Sequence, residues 1–150
     1  MRDKKNSTIL YEGLGFPIYL INVPMRKVFG EWIIDINFNH LQLTVLKMLT
    51  RKPAPLTGGE LRFIIDFLEI STRDFAKIFG VTHTAVLKWT KESSKMNPST
   101  EIYLRLHLLN YLKVTDEEFK AFYLEFTPES LRGLKFEETP LQIDAVKIAC

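Results

Sequence analysis

A chain of 150 residues with 46 % hydrophobic content can bury a core, as one domain or as two small ones. No apolar run approaches the roughly 18 residues that span a bilayer, MRDKKNST leads into no hydrophobic signal core, and the single cysteine, Cys150, excludes an internal disulfide and a cysteine-based zinc cluster. The net charge of +2 is uneven: residues 1–113 carry sixteen Lys/Arg against ten Asp/Glu, residues 114–150 four against eight, so a basic body suited to phosphate precedes an acidic end suited to a protein contact or to plain solvation.

The first eight residues are polar and expected to be loose. Ile18, Tyr19, Leu20, Ile21 and Val23, bounded by Pro17 and Pro24, form one β-rich run, and Phe29, Trp32, Ile33, Ile34 and Ile36 form a second around Gly30. Together they predict two or three strands of a small antiparallel sheet. Asn39 is placed to cap a helix over about His40–Arg51, with Leu43, Val45, Leu46 and Leu49 on its apolar side. The prolines of KPAP at 52–55 stop that helix and mark a boundary between an N-terminal α+β part, 1–55, and a helical remainder.

Thr57 and Glu60 form a capping-box pattern opening the next helix, with Leu61, Ile64, Ile65 and Leu68 inward and Arg62, Asp66 and Glu69 outward. STRDFAKIFGVTHTAVLKWTK, residues 71–91, then predicts two short helices around a tight turn. Ser71 caps the first, whose apolar face is Phe75, Ala76 and Phe79; Gly80 supplies positive φ, and Val81 plugs the turn. Thr82 caps the second, which Val86 and Trp89 anchor, leaving Thr82, His83, Thr84, Leu87, Lys88 and Lys91 pointing away from the core. The spacing Ala76, Gly80, Val81, Val86, Trp89 fits a DNA-binding helix-turn-helix, whose second helix lies in a major groove. A long helix runs from Pro98 or Ser99 through about Leu112, burying Ile102, Leu106, Leu109 and Leu112. Thr115 caps another that begins with Asp116, Glu117 and Glu118, and Pro128 ends it before one more turn. The tail, 132–150, alternates at Leu141, Ile143 and Ala145; a strand pairing with the N-terminal sheet, a partner-facing segment and a disordered tail all remain open.

The stretch TGGELRFIIDFLEISTRDFAKIFGVTHTAVLKWTK resembles the helix-turn-helix domain of the XRE/Cro repressor family, and LTGGELRF followed by the motif is similar to antitoxins of the MqsA class. Gly13-Leu14, Val28-Phe29-Gly30-Glu31 and Leu56–Phe63 echo that class in order over roughly residues 11–92, but the cysteines of its zinc knuckle are absent. The resemblance implies a mainly α chain with a small N-terminal α+β part and a five-helix lambda-repressor-like domain over 56–131. An apolar core around Phe29 and Trp32 takes the structural place of the metal. It also implies a homodimeric repressor on a palindromic operator, or the antitoxin of a toxin–antitoxin pair, with double-stranded DNA and a toxin protein as partners.

Residue by residue, Lys88 is placed for a phosphate or a guanine edge, His83 for a base acceptor and Thr84 and Leu87 for thymine methyls. Thr82 is placed for a phosphate behind its cap, Thr72 and Arg73 for the backbone that the first helix crosses, and Lys91 for the flank of the groove. No phosphate loop, nucleophile elbow or metal spacing appears, and the acidic pairs read as solvated helix faces, so neither catalysis nor a cofactor is expected. The rival reading keeps the same scaffold as a protein-interaction module, in which Leu87 and Phe79 face a toxin or another protein. A small-molecule pocket within 9–50 has no polar constellation behind it.

Overall fold

The computed structural model describes residues 8–137 and 139–149; residues 1–7 of the stretch expected to be loose lie outside them, as does Cys150, while Thr8 begins a strand. In chain order come β1 (Thr8–Tyr11), β2 (Ile18–Ile21), β3 (Met25–Val28), β4 (Glu31–Ile34), α1 (Phe38–Thr50), α2 (Gly58–Phe67), α3 (Thr72–Phe79), α4 (His83–Thr90), α5 (Pro98–Tyr111), α6 (Asp116–Glu125), α7 (Pro128–Leu131) and β5 (Leu141–Asp144), followed by a 3-10 turn over Ala145–Ile148. The chain divides into two compact units, Met1–Val45 with Glu138–Cys150, and Leu46–Glu137.

This architecture overturns the expectation of a mainly α chain built on a five-helix lambda-repressor-like domain. Seven α-helices and two small sheets, of three and two strands, make the described residues α+β. The small antiparallel sheet is corrected as well. β1 pairs antiparallel with β2, β2 pairs parallel with β5 (Ile18↔Leu141 to Ile21↔Asp144), and β3–β4 form a separate antiparallel ribbon. The alternation at Leu141 and Ile143 left a strand as one of three readings; the pairing with β2, more than a hundred residues upstream, selects it.

In the first unit β2 is the central strand, so Ile18 and Leu20 are fully buried. The Asp144 side chain accepts the Val146 N–H and opens the 3-10 turn, which buries Ala145 and Ile148. The Asn37 N–H donates to the Ile148 carbonyl, and its side chain accepts the His40 N–H. Asn37 is therefore the α1 cap, two residues earlier than expected. Along α1, which the division cuts after Val45, Leu41, Val45, Leu46 and Leu49 are buried, whereas Leu43, expected inside, is exposed. The expected core around Phe29 and Trp32 is absent: Phe29 is fully exposed at the hairpin tip, and Trp32 is half-buried beneath Lys27.

In the second unit the capping box at Thr57 and Glu60 forms as its sequence implies. Phe75 and Phe79 pack against each other at 4.5 Å, and Phe79 meets the Tyr103 and His107 rings edge-on, holding α3 on α5. Leu109, Phe122, Phe126 and Leu131 form a second cluster where α5, α6 and α7 meet. The buried stripe of α5 is rotated from the expected one. Glu101, Leu104, Arg105, Leu108 and Leu109 are buried, while Ile102 and Leu106 are only partly so, packed on the second cluster, and Leu112 is half-buried. The expected stripe placed every charged residue outside, and here an ion pair lies inside.

That pair belongs to a buried network of four charges. Lys52 donates to both carboxylate oxygens of Glu60, at 2.7 and 2.8 Å, and Glu60 also accepts the Thr57 N–H of its capping box. Arg105 donates to the carbonyls of Lys52 and Ala54 and to Glu101, all within 2.7 Å, and its guanidinium lies 5.2 Å from the Phe126 ring centre. The Leu56 N–H donates to Glu101. The KPAPL segment is thus strapped down by side chains from α2 and α5.

Candidate nucleic-acid interface

α3, its turn and α4 are built by three local devices. The Ser71 hydroxyl accepts the Asp74 N–H at 3.0 Å, and the Thr82 hydroxyl accepts the Ala85 N–H at 3.0 Å. Between them Gly80 sits at φ +65° and Val81 returns its N–H to the Ala76 carbonyl, which turns the chain without stranding α3's last carbonyls. Phe75, Ala76, Phe79, Val86 and Trp89 are buried, while Val81, expected as a plug, is only half-buried.

The second unit also grips α4 at its far end. A Cβ on Gly58 would stand 2.4 Å from the Thr90 carbonyl oxygen and 2.8 Å from that of Trp89, so the first turn of α2 touches the backbone of α4. The Gly58 N–H donates to the Glu92 carboxylate at 3.2 Å. Glu92 adopts φ +59°, and the Ser93 N–H returns to the Lys88 carbonyl, closing α4 with a left-handed cap on a residue other than glycine. The side chain explains the choice, because glycine there would lose the carboxylate that holds Gly58.

With α4 fixed at both ends, its outer surface is defined. Thr82, Thr84, Lys88 and Lys91 are exposed, as is Arg73 on α3; Leu87 is half-buried, and its carbonyl accepts from the Thr90 hydroxyl and the Lys91 N–H. Thr72 and His83 are both half-buried and share a hydrogen bond of 2.8 Å between Thr72 Oγ1 and His83 Nε2. That bond joins the N-termini of the two helices, and the imidazole expected to meet a base is engaged within the protein through Nε2. Lys77, passed over in the sequence, is exposed one turn after Arg73, and the i,i+4 spacing on α3 was the signal. Lys95 donates to the Leu134 carbonyl and lies over the Phe136 ring.

Arg73, Lys77, Lys88 and Lys91 thus place four exposed cations on the two-helix unit. Its carboxylates are Asp74, in the first turn of α3, and Glu92, engaged with Gly58. Such a surface can hold phosphates through its cations and through the N–H groups that open α4, with Thr84 and Lys88 on the outer side of that helix. Among the described residues, no three of His, Cys, Asp or Glu gather as a metal site, and no helix is long and apolar enough to cross a membrane. Comparison with protein-family models, with curated proteins and with solved structures finds no match.

Proposed function

We propose that this chain is a cytoplasmic, sequence-specific DNA-binding regulator that uses α3 and α4 as a helix-turn-helix and acts as a repressor. The observation that carries the reading is the capped two-helix unit. Its inner face is anchored by Val86 and Trp89, and its outer face offers Thr84, Lys88 and Lys91 beside Arg73 and Lys77. The resemblance of residues 56–91 to XRE/Cro regulators supports the same use, and the MqsA-like order of segments supports an antitoxin role with a toxin protein as second partner.

In this mechanism a homodimer sets two copies of α4 in successive major grooves of a palindrome, about one helical turn apart, and blocks a promoter by occupying it. α5 and α6 are the dimerisation candidates, and α6 leaves Tyr123 and Leu124 bare to a second copy. Phosphate contacts make the affinity salt-dependent; the few base contacts supply the specificity. No catalytic step is proposed.

The test is fluorescence anisotropy against a duplex from upstream of the protein's own gene, beside a shuffled duplex, at two salt concentrations. A preference for the native duplex that survives added salt is expected. Lys88→Ala should weaken binding and lower the salt slope by about one unit for a lost phosphate contact. Equal binding to both duplexes that salt erases, or no binding, overturns the reading.

A further inference from the structure

We propose that the β3–β4 hairpin is a second DNA contact whose Phe29 ring inserts as a wedge between base pairs, an inference that rests on the DNA-binding reading above. The pairing Val28↔Glu31 leaves Phe29 and Gly30 as a two-residue loop. Both adopt positive φ, +50° and +82°, the pattern of a type I′ turn. Asparagine, aspartate or glycine ordinarily fills the first position of that turn, because a larger side chain is strained there. Phe29 accepts the strain and obtains no burial for it: at 103 % exposure it is the barest large apolar side chain among the described residues. A ring held so does nothing for this fold, so its use lies outside the chain.

The flanks indicate the partner. Arg26 and Lys27 precede the tip and are exposed; Lys27 Nζ lies 5.8 Å from the Trp32 ring centre, and Arg26 reaches Asp35 only at 3.8 Å. Glu31 at the tip and Asp35 at the base are the acids of the ribbon and its exit, and Asp35 is the one that meets Arg26. A two-stranded ribbon is narrow enough for a DNA groove, and apolar wedges, phenylalanine among them, unstack base steps while neighbouring cations hold the phosphates. A pocket on a protein would also take the ring, but the exposed cations beside it favour a polyanion.

Phe29→Asn separates folding from binding, because asparagine suits the left-handed turn better. The probe is the upstream duplex, about 30 base pairs long, with 2-aminopurine placed at its pyrimidine–purine steps, which unstack most readily. The native protein should raise the 2-aminopurine fluorescence. Phe29→Asn should abolish that rise and weaken binding about five- to hundredfold, the loss of a stacked base, while its urea midpoint holds or increases. Unchanged affinity and unchanged fluorescence in Phe29→Asn overturn the wedge and direct the hairpin to a protein partner. Lys88→Ala, run in parallel, reports on α4 alone, so its failure to bind beside an intact Phe29→Asn sinks only the wedge. Native protein that binds neither this duplex nor its shuffled form sinks both readings.

Discussion

Arg105 is the side chain on which most of the second unit's polar interior depends. It is fully buried, and it satisfies two carbonyls of the 52–56 segment as well as Glu101. Burial holds the Glu101 carboxyl above the usual carboxylate range, against the lowering pull of Arg105, and the same burial pushes the guanidinium down. For both partners desolvation opposes the charged form. Arg105→Met strands two carbonyls and a carboxylate, and should cost about 3–5 kcal/mol in urea denaturation; adding Glu101→Leu should recover part of it. The pH dependence follows in sign. Folded Glu101 keeps its proton to higher pH than unfolded Glu101, so its contribution is present below the ordinary value of 4.5 and is lost as pH rises from there through the raised folded value. Urea midpoints measured across that window should fall with pH in the native chain, with a visibly flatter course in Glu101→Gln.

Among the elements, α4 depends on its neighbours at both ends. The Thr72–His83 hydrogen bond ties its start to α3. Thr72→Val keeps the shape and removes that bond, so stability should drop by about 0.5–1.5 kcal/mol, with DNA affinity falling further than the lost stability explains. An affinity that merely tracks the unfolded fraction would show that the bond positions nothing. At the other end, Gly58→Ala forces a methyl group against the Thr90 carbonyl, a backbone atom that cannot swing away. Separating α2 from α4 should cost about 1–3 kcal/mol by thermal or urea unfolding. The sequence showed the caps at Thr57, Ser71 and Thr82, because a cap and the N–H that donates to it lie three residues apart. Nothing local marked the demand on Gly58, which comes from α4, thirty residues on.

At the scale of the molecule, the last segment completes the first unit. β5 covers one edge of β2, and Ile143, Ala145 and Ile148 are buried with it. A chain ending at Glu137 leaves that edge of β2 unpaired beside the fully buried Ile18 and Leu20. Hydrogen exchange should then speed up across β1 and β2, while the amides of α3 and α4 keep their protection. Uniform loss of protection in both units would contradict the division of the chain at Val45.

Much of the candidate interface was legible in residues 71–91. A helix cap, a left-handed glycine and a 3.6-residue apolar period each act within one or two turns of chain, so their residue types suffice to reveal them. The exposure of Arg73, Thr84, Lys88 and Lys91 follows from that period. Tertiary structure alone decided the rest. His83 turned toward Thr72, Glu101 and Arg105 went inside, Phe29 came out to a hairpin tip, and residues 141–144 became a strand beside β2. Each of these depends on a partner remote in sequence, or on the lack of one. A buried charge is tolerable only where an opposite charge and carbonyls meet it, and a short strand is stable only where another strand lies alongside.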